Sequence, residues 1–265
     1  FIPFATKTNC ALVMSARMWT QTIKQIDSLG VPEAAQLAAQ LRTELAKFAS
    51  RLIKHSVPDA ATLAQARQLN EHVTRQVKAG GVPTKNIPGK VEVSVDNHFA
   101  NFIPATQSLE ESVEGKANRY SIAGEHLSRI FTRAAWNNIA IAELRDLNRH
   151  RTGYRFTPMV PVGFYLPAEI DRTAHEDYLN RWAAFMEKMV DAGSVHALPY
   201  AMLLGVQVSF EHAQMADKFV YEVELRTGMG AHFRYAEHLA EAAAAFFKKI
   251  PEAKDFTPIG TAEPE

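Results

Sequence analysis

Before residue 80 the apolar residues recur at helical spacing, and that regularity limits the first part of the chain to packed helices. Leu12, Ala16, Trp19, Ile23 and Ile26 lie three or four apart, and Gly30 closes the run. A second run opens at Pro32, a favoured first-turn residue, and carries Leu37, Leu41, Leu45, Phe48 and Leu52 along one stripe. Asp59 is placed to cap a third, which carries Leu63, Ala66, Leu69, Val73 and Val77 and stops at Gly80 and Gly81. Three helices are predicted over residues 1–80.

The pattern then changes. Residues 81–90, within "GGVPTKNIPGK", read as a linker because Gly and Pro interrupt any regular element. "KVEVSVD" (90–96) alternates like a strand. A helix is predicted from Ile122 to Ala135, followed by another that ends near Arg149. "MVPVGFYLP" (159–167) reads as extended, and Asp171 to Ala192 as a long helix with Tyr178, Trp182, Phe185 and Met189 on its inner face. "GVQVSF" (205–210) is a short strand, and two helices near 213–226 and 231–248 follow, with Phe246 and Phe247 in the core. Residues 252–265 read as a loose tail. The sum is a helix-rich α/β (α+β) chain with a small, mainly antiparallel sheet.

The end of the chain echoes its start. Trp19, Ile23 and Gly30 match Phe219, Val223 and Gly230 at one constant offset, and Leu37, Leu41 and Phe48 match Tyr235, Leu239 and Phe246 at another. Each region is a helix, a glycine turn and a longer helix, so residues 1–80 read as the closing helices of a first, truncated module and 91–251 as a second.

Twenty-nine basic side chains balance 29 acidic ones, so no overall field draws the chain to nucleic acid or an anionic membrane. The lone Cys10 excludes an internal disulfide and a cysteine-built zinc site, which suits a reducing cytoplasm. The longest apolar stretch, "ALPYAMLLGVQVSF" (197–210), is too short to span a bilayer as a helix.

Any anion site must therefore be local, and two stretches are candidates. "AELRDLNRHRTGYRF" (142–156) gathers Arg145, Arg149, His150, Arg151 and Arg155, with Glu143 and Asp146 to offset part of the repulsion. "VELRTGMGAHFRYAEH" (223–238) places Arg226 at one helix end and Gly228 and Gly230 before the next helix start, where free N–H groups favour an anion. Both also have a plain reading, in which basic residues and glycines simply finish helices. His232, Glu237 and His238 lack the spacing of helical metal ligands, so no metal is expected. No nucleophile motif is present; the chemistry is expected in a bound cofactor and no catalytic side chain is assigned.

The order of these stretches resembles the flavin-dependent thymidylate synthases. That family has a helix ending in Arg-His-Arg, an extended segment, a long helix, a Leu-Pro segment, and a Leu-Arg followed five residues later by Ala-Gln or Ala-His. The corresponding series is "LNRHR" (147–151), "GFYLP" (163–167), the 171–192 helix, "ALPYAMLLG" (197–205), "ELR" (224–226) and "AHFRYAEH" (231–238). "SAR" (15–17) stands where the family has an Asn-Ala-Arg before its last helices.

The resemblance implies reductive methylation of dUMP, with FAD as cofactor and methylenetetrahydrofolate and NADPH as co-substrates. It implies a homo-oligomer or pseudo-symmetric assembly that binds a small nucleotide. Arg149, His150, Arg151 and Arg17 would contact the cofactor, and Arg226, Arg155, Gly228 and His232 the substrate. The chain departs from the family at several of these points. "TGYRFTPM" replaces a Ser-rich phosphate-holding stretch, Asp146 replaces a Gln, Gly230 a His, and "MAD" (215–217) the second Asn-Ala-Arg. The alternative is thus a module that kept the fold and the nucleotide site, or the fold alone, without the chemistry.

Overall fold

The computed structural model describes residues 11–104, 106, 108–109, 111, 121, 124–150, 152–228, 231–255, 257 and 259–260. Arg151 and Gly230, both singled out above, lie outside the described residues. The chain divides into two compact units, one of residues 1–84 and 168–204, the other of 85–167 and 205–265.

Among its described residues the first unit is built of helices and their connecting loops, with one isolated bridge residue at Leu203. It holds α1 (Ala16–Asp27), α2 (Pro32–Ala49), α3 (Ala60–Gly80) and α5 (Glu176–Asp191), with short 3-10 turns between. Asp59 accepts the capping N–H group of α3 as expected, and Gly30 takes a positive φ of 75° between α1 and α2; α1 starts at Ala16 rather than at Leu12, capped by the Ser15 side chain. Ile23 and Ala38 close the α1–α2 contact at full burial. Arg42 ties the ends of this hairpin together, pairing with Asp27 and donating to the Ser56 carbonyl at 2.9 Å.

On α5 the buried face is Leu179, Trp182, Ala183, Met186 and Val190. That stripe is rotated from the predicted one. Trp182 is core, but Tyr178 and Phe185 are exposed and Met189 is half-buried, because their positions fall on the edge of the helix arc that its neighbours cover.

The second unit contains the sheet, β1 (Val91–Asp96), β2 (Phe131–Ala140), β3 (Tyr154–Phe156), β4 (Gly163–Phe164) and β5 (Val206–Met215). The spatial order is β1-β2-β5-β3, with β4 also against β5, and every pairing is antiparallel. The unit's longer helices are α4 (Ile141–Leu147), α6 (Ala216–Arg226) and α7 (Phe233–Phe247). The α+β architecture with a small antiparallel sheet is thus present.

The helix predicted from Ile122 to Ala135 is not. Among the described residues this stretch is a short helical turn, Glu125–Ser128, followed by the ten-residue strand β2. Thr132, Ala134 and Trp136 are buried while Phe131 and Arg133 face out, a period of two that outweighs the helical reading of Ile130, Ala134 and Ala135. Strand β5 likewise runs five residues beyond its prediction, because Glu211–Met215 pair with the start of β2. Phe246 is fully buried, whereas Phe247 is half-buried. Past Pro251 the chain is anchored at described points: Ala253 and Thr257 are buried and the Gly260 N–H donates to Thr227 Oγ1 at 3.1 Å. Among the described residues no helix is long and apolar enough to cross a membrane.

Candidate functional site

Helix α4 carries a different polar cluster at each end. At its start Glu143, on the first turn, accepts from the Ala140 N–H at 3.1 Å and from Arg234 Nε at 3.4 Å; its other oxygen lies 2.7 Å from His238 Nδ1. The Glu143 and His238 side chains are buried, and Trp136 Nε1 donates to the His238 carbonyl at 3.0 Å. The Arg234 guanidinium lies 4.3 Å from the Tyr165 ring centre, a cation–π contact. Links from β2, α4 and α7 meet here, so the cluster fixes α4 in place.

At the other end α4 runs out at Asn148 and leaves carbonyls to satisfy. Arg155 takes two of them, donating from Nη1 to the carbonyls of Asn148 (2.9 Å) and His150. Arg149 is exposed and pairs with Asp146 at 3.2 Å, while His150 turns inward and is buried. His150 meets α6: Arg226 Nε donates to its Nε2 at 2.8 Å, and the Tyr221 ring stands edge-on at 6.4 Å.

An arginine Nε only donates, so His150 is neutral there, with its proton on Nδ1. Burial pushes the imidazole below the ordinary histidine value; the Glu222 carboxylate works against that shift, and the charges of Arg226, His212 and Arg155 reinforce it.

Behind His150 lies a buried network absent from the sequence reading. Glu222 Oε2 lies 3.0 Å from His212 Nδ1 and accepts from Gln214 Nε2 at 2.5 Å. His212 Nε2 reaches the Thr152 carbonyl at 2.9 Å, and the Thr152 hydroxyl donates to Gln214 Oε1 at 2.9 Å. Burial acts to raise the Glu222 carboxyl, but the hydrogen bond and charge of His212, with the bond from Gln214, hold it below the usual carboxylate value. Its Oε1 has no hydrogen-bond partner among the described residues.

A sequence signal for this network existed. His212 and Gln214 continue the inward phase of Val206, Val208 and Phe210, and Glu222 sits on the α6 stripe with Phe219 and Val223. Polar residues in a buried phase need partners, and these are each other's.

Of the residues singled out in the sequence, His150, Arg226 and Arg155 therefore converge. Gly228 is buried in the turn after α6, and its carbonyl accepts from the Ala231 N–H at 3.2 Å. His232 caps α7, accepting from the Arg234 N–H at 3.3 Å, and stacks on Phe233. Arg17 belongs to the first unit, where with Lys24, Lys54, His55 and Asp59 it lines a cavity of about 470 Å³. No cluster of three or more His, Cys, Asp or Glu suited to a metal ion occurs among the described residues.

Matched against models of known protein families and against curated proteins, the sequence finds no counterpart.

Proposed function

We propose that the second unit binds a nucleotide at the joined ends of α4 and α6, as a diverged relative of the flavin-dependent thymidylate synthases. One observation carries this reading: Arg226 and His150, 76 residues apart in the chain, meet at 2.8 Å, so that the "RHR" and "ELR" stretches form one place. A neutral histidine there orients the guanidinium without spending its charge, and the preceding residue, Arg149, is an exposed cation paired with Asp146. The residues present suit the phosphates of FAD, with Arg149, His150 and Arg151 toward the cofactor and Arg226 toward dUMP. Bound FAD would supply hydride transfer, with NADPH as reductant and methylenetetrahydrofolate as carbon donor. Arg17, in its own basic cavity, would serve a cofactor from the first unit. The same reading makes the protein a cytoplasmic homo-oligomer or pseudo-symmetric assembly with neither nucleic acid nor membrane as partner, and residues 1–80 the remnant of a first module.

A specific observation favours the second reading, a module that holds a nucleotide without catalysing. Arg155, the one basic substitute for the family's phosphate-holding stretch, directs its Nη1 to two carbonyls of its own loop.

Flavin retention tests both. The purified protein is mixed with FAD, freed of excess by gel filtration, and its visible spectrum is recorded. Retained flavin bands that are lost in Arg226→Ala support the site, and dUMP-dependent oxidation of the reduced flavin then separates enzyme from binding module. A colourless protein overturns the flavin reading.

A further inference from the structure

We propose that His212 and Glu222 form a buried, charged clamp that positions the turn after the Arg-His-Arg stretch, and with it His150 and Arg226, without touching any ligand. The proposal deepens the nucleotide reading above and rests on it for the identity of the ligand.

The donor–acceptor logic is restrictive. The Thr152 carbonyl only accepts, so His212 Nε2 carries a proton. His212 Nδ1 faces Glu222 Oε2 at 3.0 Å and, farther off, Gln214 Nε2 at 3.4 Å; the shorter contact, to an atom that only accepts when ionised, places another proton between ring and carboxylate. Glu222 Oε2 also receives the Gln214 amide, an arrangement that suits a carboxylate facing an imidazolium. Both side chains are 2 % exposed, so the pair is almost fully removed from water.

The clamp grips one residue twice. Thr152 is held at its carbonyl by His212 and at its hydroxyl by Gln214, and both holders end on Glu222. Next to it Gly153 has a φ of 71° and lies against the Ala213 carbonyl, where a side chain has no room. The turn therefore sits directly on β5. Glu222 is one helical turn before Arg226 on α6, so one face of that helix reaches two residues: Arg226 holds His150, and Glu222 through His212 holds Thr152.

Stability alone does not call for such a pair. A buried ion pair replaced by apolar side chains of similar size is often neutral or stabilising. What the polar pair adds is a directed link to an exposed turn, which apolar side chains do not make.

The test uses the full chain and two variants, Glu222→Gln and the triple His212→Phe/Gln214→Leu/Glu222→Met. Three readouts are taken: imidazole ¹⁵N signals, amide hydrogen exchange and FAD affinity. In the wild type the contacts of His212 predict protons on both of its ring nitrogens, and those of His150 a single proton, on Nδ1. The triple variant is expected to fold with an undiminished Tm, to exchange the Gly153 and Tyr154 amides about tenfold faster or more, and to bind FAD at least about tenfold more weakly. Glu222→Gln is expected to lose the doubly protonated His212 signal.

A neutral His212 in the wild type overturns the proposal, as does a folded triple variant whose turn exchange is unchanged. If the triple variant fails to fold, Glu222→Gln decides: turn exchange at the wild-type rate despite a neutral His212 overturns the clamp. A wild-type protein that refuses FAD overturns the nucleotide reading instead, and leaves the nitrogen and exchange results to judge the clamp.

Discussion

The α1–α2 hairpin of the first unit and the α6–α7 hairpin of the second share a sequence pattern and bury it differently. Ile23 and its counterpart Val223 are both fully buried, because each sits where its two helices meet. The stripes along the second helix of each pair diverge. Tyr235, Leu239 and Phe246 on α7 are buried, with β1 and β2 packed against the helix and the Phe246 ring 5.1 Å from Phe219. Of their counterparts on α2, Leu41 is half-buried but Leu37 is 45 % and Phe48 89 % exposed. A stripe at helical spacing thus guarantees an amphipathic helix but not a partner for it. In the second unit a sheet covers the stripe; among the described residues of the first, no strand is available to do so.

The largest effect that would test this contrast is the loss of Phe246. Phe246→Ala is expected to cost about 3–5 kcal/mol in urea unfolding, the range for removing a core aromatic. Phe48→Ala should change stability by less than about 0.5 kcal/mol. Equal costs at the two positions would show that α2 has a covering partner in solution and would break the comparison.

The polar ties differ in the same sense. Glu143→Ala strands Arg234 and His238 in a buried site and is expected to cost about 3 kcal/mol. Asp27→Ala removes the corresponding tie in the first hairpin, where both partners are roughly a fifth exposed, and about 1 kcal/mol is expected. Thermal melts of the two variants check the ranking.

A smaller effect separates the units by pH. His150 has its folded-state value lowered, so the unfolded chain binds the proton more readily. Stability rises with pH between that lowered value and the ordinary 6.5 and is flat above it. His150→Asn should flatten this rise in urea titrations of the whole chain, while an unchanged slope would assign it to other groups. Smallest of all on stability is Arg149→Ala, expected within about 0.5 kcal/mol because the pair with Asp146 lies at the surface. Its FAD affinity should fall nonetheless, and a variant that binds as tightly as wild type removes Arg149 from the site.

Much of the fold was readable in the chain. Asp59 as a cap, Gly30 and Gly81 as stops, Pro32 as a start and the alternation of Val91, Val93 and Val95 act locally, and local rules of backbone geometry suffice for them. β2 was not readable as a strand, since Ile130, Ala134 and Ala135 also fit a helix and only pairing with β1 and β5 decides between the periods. The candidate site divides in the same way. Arg149, His150 and Arg226 stood out as charge clustered at helix ends, whereas His212, Gln214 and Glu222 fall in the inward phase of their elements and only the fold makes them partners.

The sequence by itself determined the helices of the first unit, the α+β class, and the two basic stretches, because spacing, caps and charge are properties of neighbours along the chain. Tertiary structure alone decided which stripes are covered, that Arg226 reaches His150, and that Arg155 closes its own loop rather than standing free. The reason is physical: burial and hydrogen-bond partners are set by residues distant in the chain, and a buried charge is tolerated only where its partner has been delivered to it.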